Sequence, residues 1–120
     1  TMLLLSDSRP TLSVVDDQLC TPSYTRDVAA ASIRLLSTER YGLYHATNEG
    51  SCSWNEFAQA IFQIANCPIK VQPISSAEFG AKARRPAFSA LSTAKLQSLG
   101  IVVRPWREAL ANFFDEERSV

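Results

Sequence analysis

The sequence predicts an α/β domain with few strands. Short β-branched runs alternate with segments whose apolar residues recur at helical spacing. The chain has 120 residues, of which 46% are hydrophobic, so we expect one core and not two. Its 20% charged and 9% aromatic residues are ordinary values for a folded domain. The composition therefore argues against disorder.

The first 23 residues predict a helix end, a strand and a loop. Leucines at positions 3–5 indicate that residues 1–7 are the end of a helix. Residues 12–15, Leu-Ser-Val-Val, have the β-branched pattern of a strand, and two aspartates follow it. Residues 18–23 then predict a loop.

A helix and a second strand follow. Thr25 is the expected N-cap of a helix over residues 25–37, with Asp27 in the first turn, where a carboxylate meets the positive end of the helix dipole. Residues 42–47 predict a short strand, because turn-forming residues at 48–50 end it.

The clearest local signal is a capping box at Ser53-Trp54-Asn55-Glu56. Behind it, one apolar helical stripe comprises Trp54, Phe57, Ala58, Ile61, Phe62 and Ala65. Asn66-Cys67-Pro68 ends this helix, and residues 70–74 predict a strand whose Pro73 suits an edge position.

The last third predicts helices around a basic loop. Residues 75–79 suggest one helical turn, residues 80–90 a basic loop, and residues 92–99 a helix that Gly100 caps. A final helix begins at Pro105, because proline suits a first helical turn and apolar residues follow it at helical spacing.

Charge and hydropathy exclude two classes of partner. Lys plus Arg and Asp plus Glu both number 12, so the net charge is +0 and a phosphate-tracking nucleic-acid surface is not expected. No apolar run approaches the roughly 18 residues that span a bilayer. We expect no membrane partner and a cytoplasmic protein.

Glycine, cysteine and histidine usage excludes several kinds of site. The four glycines are too far apart for a GxGxxG turn or a P-loop. The three cysteines form no CxxC pair and His45 is the single histidine, so we expect reduced thiols and no metal site. His45 is expected to be a packed or hydrogen-bonded strand histidine, and Asp16 and Asp17 to form a solvated strand end.

Two segments could bind a ligand. In residues 18–25 a turn with hydroxyl side chains leads into a helix N-terminus, which favours anionic or hydroxyl-rich ligands; a plain turn and cap is the alternative. The second segment contains Lys82, Arg84 and Arg85. Arginine matches phosphate oxygens two at a time, so a diphosphate ligand is plausible, and a solvated basic loop is the alternative.

The chain resembles the C-terminal half of the dTDP-4-dehydrorhamnose reductase family, which belongs to the extended short-chain dehydrogenase/reductases. The resemblance is collinear over nearly the whole chain. The matching blocks are Val14-Val15-Asp16-Asp17-Gln18, Pro22, Tyr24-Thr25-Arg26-Asp27-Val28-Ala29, Gly42-Leu43-Tyr44-His45-Ala46-Thr47-Asn48-Glu49-Gly50, Ser53-Trp54, Phe57-Ala58, Arg85-Pro86-Ala87-Phe88-Ser89, Leu91, Lys95-Leu96, Leu99-Gly100-Ile101, Pro105-Trp106 and Ala109-Leu110.

The resemblance implies the substrate-binding portion of a Rossmann-type reductase. The family uses NAD(P)H to reduce dTDP-6-deoxy-L-lyxo-4-hexulose to dTDP-L-rhamnose. Residues 1–120 would form a single substrate-binding portion, with 8–50 joining a Rossmann half that is missing here and 51–120 forming the sugar-nucleotide lobe. An arginine near position 85 faces the nucleotide diphosphate in relatives. The expected binding residues for a dTDP-sugar are Gln18, Ser23, Tyr24, Arg84 and Arg85.

The family's glycine-rich cofactor turn and catalytic Tyr-x-x-x-Lys lie upstream of the matching region. None of Tyr24, Tyr41 and Tyr44 has a lysine four residues later, so we expect no catalytic residue, no cofactor-binding residue and no activity in this chain alone. Cys20 stands where the family usually has glycine, and Ser23 where it has threonine. If that glycine has a positive φ, Cys20 would cost about 1 kcal/mol.

Two further expectations concern partners. The alternative function is a non-catalytic regulatory or interaction module, similar to the regulatory subunit of methionine adenosyltransferase. The helix from Thr25 and the strand over residues 42–47 would pack on the missing half in the family. We therefore expect exposed apolar surface and self-association.

Overall fold

A computed structural model describes residues 2–6 and 10–118. The elements are α1 (Met2–Ser6), β1 (Thr11–Val15), β2 (Leu19–Cys20), α2 (Thr25–Leu36), β3 (Cys52–Ser53), α3 (Trp54–Ile64), β4 (Lys70–Ile74), α4 (Ser76–Phe79), α5 (Ala94–Gln97) and α6 (Trp106–Arg118). They form two compact units. The first comprises the described residues up to Cys20 together with Cys52–Ser89, and the second comprises Thr21–Ser51 and the described residues from Ala90 onward.

The first unit is built on a β-α-β arrangement. β1 and β4 pair in parallel, with Val15 opposite Ile74, and α3 lies between them in the chain and packs against both. Alternation along β1 buries Leu12 and Val14 against Ala58 and Phe62 of α3. The strand predictions for residues 12–15 and 70–74 are confirmed, and the predicted helix end at the N-terminus is confirmed for Met2–Ser6. Thr1 and Asp7 lie outside the described residues.

The capping box before α3 is confirmed. Ser53 Oγ accepts a hydrogen bond from Glu56 N at 3.0 Å, and a Glu56 carboxylate oxygen accepts one from Ser53 N at 2.9 Å. A second capping box begins α4, where Ser75 and Glu78 cap each other. At the other end of α3, Asn66 follows the last helical turn with a φ of 52°.

β2 lies within the segment predicted as a loop, and it pairs antiparallel with β3. In β2 and β3, Leu19 faces Ser53 and Cys20 faces Cys52. This pairing joins residues that are far apart in the sequence, so no local pattern indicated it. Asn66 is the only non-glycine residue with a positive φ in residues 2–6 and 10–118. Cys20 therefore carries none of the strain that a left-handed backbone would impose.

The second unit is mainly helical. Its buried cluster contains Ala31 of α2, Leu96 of α5, Ile101 and Val103. A second cluster means that the expectation of one core is wrong: the chain distributes its apolar residues between two smaller clusters.

Several helix boundaries in the second unit differ from the prediction. α2 ends at Leu36, and its N-cap is Tyr24, which makes no side-chain capping bond, so the assignment of Thr25 as N-cap is wrong by one residue. α5 is shorter than the predicted 92–99, because only Ala94–Gln97 is α-helical before a turn that ends at Gly100, where φ is 73°. The last helix is confirmed, but it begins at Trp106, one residue after the predicted start at Pro105.

The strand predicted over residues 42–47 is wrong. A strand needs a ladder partner, and within residues 2–6 and 10–118 this segment has none; the nearest bridge joins Glu49 to Pro105. His45 is exposed, so the expectation that it packs within a strand is wrong as well. The division of the chain at residue 50 stays a prediction.

Candidate functional site

The first unit has a pocket beyond the ends of its parallel strands. Because β1 and β4 run in the same direction, the residues that follow Val15 and those that follow Ile74 meet at one edge. Gln18 Nε2 donates a hydrogen bond to Ser76 Oγ at 2.8 Å across this edge. Ligands of open α/β sheets bind outside the carboxyl ends of the strands. The pocket has a volume of about 410 Å³.

The carboxylates at this edge are held by serines. Asp17 accepts hydrogen bonds from Ser76 N at 2.9 and 3.0 Å and from Ser76 Oγ at 2.5 Å, which lowers the pKa of its carboxyl. Glu78 accepts from Ser75 N at 2.7 Å and from Ser75 Oγ at 2.8 Å, and its pKa is lowered for the same reason. These bonds keep both carboxylates ionised and fix their positions.

The cations of the pocket have no such partners. Lys82, Arg84 and Arg85 line it together with Asp17, so the lining carries three positive groups and one negative group. All three cations are exposed, and within the described part of the chain none forms an ion pair. The pocket can therefore supply several unneutralised donors to an anionic ligand.

Backbone bonds hold the end of this basic loop. Leu19 N donates to Ala87 O at 2.8 Å, and Ser89 N donates to Leu19 O at 2.8 Å. β2 thus lies between β3 and the segment after Pro86. Leu19 of β2 holds the end of the loop, while the cationic side chains stay exposed.

The structure brings together three of the five expected binding residues. Gln18, Arg84 and Arg85 line the same pocket. Ser23 and Tyr24 belong to the second unit, where Ser23 is exposed and its hydroxyl donates to Thr21 O at 3.3 Å. Their role stays a prediction.

Tyr24 is engaged within its own unit. Its backbone N donates to Asn48 Oδ1 at 2.7 Å, and its hydroxyl donates to a carboxylate oxygen of Glu116, which also pairs with Arg26. The bond to Glu116 raises the pKa of Tyr24 and lowers that of Glu116. This cluster joins the start of α2 to α6.

A second polar cluster also stabilises this unit. Arg104 donates to Asp27 from Nε at 3.0 Å and from a terminal nitrogen at 2.6 Å, and the bond to Asp27 raises the pKa of Arg104. The Asn48 side chain, which is 1% exposed, donates to Asp27 at 2.7 Å and to Arg104 O at 3.0 Å. Paired charges of this kind support the fold and offer little to a ligand.

Three residues that line the pocket were not singled out as candidate binding residues in the sequence. Asp17 was expected to be a solvated strand end, and Ser76 and Phe79 were assigned only to a helical turn. The capping pattern Ser75-Ser76-Ala77-Glu78 fixes the start of α4, but no local signal indicates that Asp17 bonds Ser76. Phe79 is 60% exposed at the pocket wall, where it presents an apolar face.

Comparison with known proteins assigns this chain to a family. The model of the RmlD substrate binding domain matches residues 1–119. The chain belongs to the RmlD substrate-binding-domain family. Spore coat polysaccharide biosynthesis protein SpsK of Bacillus subtilis is 42% identical over 119 residues, which are 99% of this chain and 42% of that protein. The dTDP-4-dehydrorhamnose reductase of Aggregatibacter actinomycetemcomitans is 39% identical over 93% of this chain and 42% of its own length.

Solved structures of the family confirm the predicted fold class. A dTDP-4-dehydrorhamnose reductase from Clostridium acetobutylicum superposes with a TM-score of 0.93 at 35% identity, over 98% of this chain and 42% of that chain. The dTDP-4-dehydrorhamnose reductase of Bacillus anthracis, solved in complex with NADP, superposes with a TM-score of 0.89 at 43% identity, over 96% of this chain and 41% of that chain. This RmlD-family chain thus spans about two fifths of the length of the relatives it matches, and it is an α/β part of a Rossmann-type reductase fold.

The residues present do not fit a nicotinamide dinucleotide. Gly42, Gly50, Gly80 and Gly100 all have positive φ, but they stand singly, and none begins a helix directly after a strand. Among residues 2–6 and 10–118, no group of three metal-ligating side chains is found, and no helix is long and apolar enough to cross a membrane.

Proposed function

We propose that this chain is the nucleotide-sugar-binding part of a dTDP-4-dehydrorhamnose reductase, which reduces dTDP-6-deoxy-L-lyxo-4-hexulose to dTDP-L-rhamnose with NAD(P)H. The observation that carries the proposal is the group of unpaired cations, Lys82, Arg84 and Arg85, at the carboxyl edge of the β1–β4 pair. Family membership supports the same ligand class.

Each pocket residue has a distinct task in this proposal. Arg84 and Arg85 donate paired N–H bonds to the oxygens of the diphosphate, and Lys82 adds a point charge. Gln18 is held by Ser76 and offers its amide to the ligand at the sheet edge. Phe79 provides an apolar face for a sugar or base ring. The binding roles of Ser23 and Tyr24, in the second unit, stay predictions.

Calorimetric titration of the full chain with dTDP tests this proposal. We expect dTDP to bind, thymidine without phosphates to bind far more weakly, and added salt to weaken the dTDP complex. Arg84→Gln with Arg85→Gln should weaken dTDP binding roughly 10- to 100-fold, since hydrogen bonds to charged groups are lost. Lys70→Gln is the matched control, because Lys70 is an exposed cation of the same unit outside the pocket.

Two outcomes would overturn the assignment. Equal affinity for dTDP and thymidine would remove the diphosphate from the proposal. No dTDP binding, together with one stoichiometric protein partner in a pull-down, would favour the regulatory or interaction module instead.

We also infer that the chain alone does not transfer hydride. It has no dinucleotide turn and no Tyr-x-x-x-Lys. NADPH absorbance with the 4-keto sugar nucleotide should stay constant, and a decrease dependent on this chain would contradict the inference.

Self-association follows from the exposed apolar side chains of the second unit. Ile33 and Leu36 of α2 are 66% and 84% exposed, and Tyr41 and Leu43 are 89% and 78% exposed. An association surface needs exposed apolar side chains, which these four residues provide. Sedimentation should show an increasing mass with concentration, which Leu36→Glu with Leu43→Glu should reduce; a monomer at all concentrations would contradict this.

A further inference from the structure

Two of the three cysteines face each other across the short antiparallel pair. Cys20 of β2 and Cys52 of β3 are opposite in register, and Cys20 Sγ donates to Cys52 O at 3.7 Å. Directly opposed side chains of an antiparallel pair project to one face, with Cβ atoms about 4.5–5.5 Å apart. A disulfide needs Cβ atoms roughly 3.5–4.5 Å apart. A small closing movement of the two strands therefore permits a bond.

We propose that Cys20 and Cys52 are a redox-modification site that forms a reversible intramolecular disulfide with a small-molecule disulfide as oxidant. The third cysteine cannot take part in the same way. Cys67 follows the C-terminal end of α3, whereas Cys52 precedes its N-terminal end. The 11 residues of α3 separate these ends by about 16 Å.

The exchange needs no group beyond the two thiols and the oxidant. Cys20 is half-buried and Cys52 is 1% exposed, so Cys20 reacts first. Its thiolate attacks the small disulfide, whose S–S bond breaks to give a mixed disulfide and one released thiol. Cys52 then loses its proton, attacks the Cys20 sulfur and releases the second thiol. The protein loses two hydrogens, and the oxidant becomes two thiols.

Burial of Cys20 slows this reaction. It raises the pKa of the Cys20 thiol, so the attacking thiolate is scarce at neutral pH and exchange is slow. The disulfide would join β2 to β3, the strand that directly precedes α3. Because Leu19, next to Cys20, holds the end of the basic loop through Ala87 and Ser89, oxidation would add a covalent support to that loop.

Mass spectrometry of the full chain, equilibrated with oxidised glutathione and quenched by alkylation, tests the proposal. We expect a mass loss of two hydrogens, a peptide containing the Cys20–Cys52 bond, and full reversal by a reducing thiol. The Cys67→Ser variant should still form the bond, and Cys20→Ser should not.

The design separates loss of chemistry from loss of folding. Cys20 is the less buried partner, so Cys20→Ser is the informative variant, and circular dichroism checks its fold. Persistent alkylation of both Cys20 and Cys52, a bond that includes Cys67, or intermolecular bonds alone would each overturn the proposal.

Discussion

The two units of the chain use arginine differently. In the second unit, Arg104 bonds Asp27 and Arg26 bonds Glu116, so each guanidinium serves to hold helices in place. In the first unit, Arg84 and Arg85 are exposed and form no ion pair within the described residues. Pairing thus separates Arg26 and Arg104, which bond carboxylates of their own unit, from Arg84 and Arg85, which are available to a ligand.

The units also differ in what stabilises them. The first buries a cluster of β1 and α3 side chains, and the second supplements its cluster with the polar bonds around Asn48. If this contrast is correct, apolar truncation should be most damaging in the first unit, and removal of a charge most damaging in the second.

The largest effect is expected at Phe62. It is 3% exposed within the first cluster, so Phe62→Ala should lower the free energy of unfolding by about 3–5 kcal/mol through lost burial and a cavity. Urea denaturation measures the change. Phe88→Ala is the control, because Phe88 is 67% exposed. Similar losses in the two variants would contradict the position of the core.

A smaller loss is expected at Asp27. Asp27→Asn keeps the shape but removes the charge that binds Arg104 and Asn48, so unfolding should become easier by about 1–3 kcal/mol. Glu39→Gln, at an exposed carboxylate of the same unit, should change stability little. If both variants were equally stable in urea, the polar cluster would not support the second unit.

Local pattern predicted much of the first unit. The Ser53–Glu56 capping box and the α3 stripe involve residues a few positions apart, and both are confirmed. β2 was not predicted, because its partner strand is distant in the sequence. The same limit applies to the pocket: the basic loop was evident, but the Asp17–Ser76 bonds join residues 59 apart.

Local pattern failed more often in the second unit. Residues 42–47 have a strand-like sequence, yet an extended segment becomes a strand only with a ladder partner. The bond from the Tyr24 hydroxyl to Glu116, 92 residues away, was not predicted either, and the role of Tyr24 in ligand binding stays a prediction. Neither this bond nor the pairing of residues 42–47 can be derived from neighbouring residues.

A capping variant gives the next smaller effect. Ser53→Ala removes the oxygen that accepts from Glu56 N and the hydroxyl that donates to Asp16 at 2.5 Å, so stability should fall by about 1 kcal/mol. Ser51→Ala, at an exposed serine outside the helices, is the control. An unchanged urea midpoint for Ser53→Ala would show that the capping box adds nothing to the first unit.

The smallest effect is a difference in pH dependence between the units. Glu116 has a lowered pKa in the folded chain, so its contribution is present above its unfolded pKa of about 4.3 and is lost as pH falls through the folded pKa. Tyr24 has a raised pKa, so its contribution is present below about pH 10 and is lost as pH rises through the folded pKa. Asp17, in the first unit, has a lowered pKa, so its contribution to stability is lost only as pH falls.

Thermal midpoints measured across pH separate these cases. Tyr24→Phe should lower the thermal midpoint slightly near neutral pH. The difference in midpoint between this variant and the unsubstituted chain should become smaller at both low and high pH. For Asp17→Asn, the difference in midpoint from the unsubstituted chain should become smaller at low pH alone. Tyr41→Phe is the control, because Tyr41 is 89% exposed. A Tyr24→Phe difference that stayed constant to high pH would show that the Tyr24–Glu116 bond does not stabilise the second unit, which would then depend on Asp27 and Arg104 for its polar support.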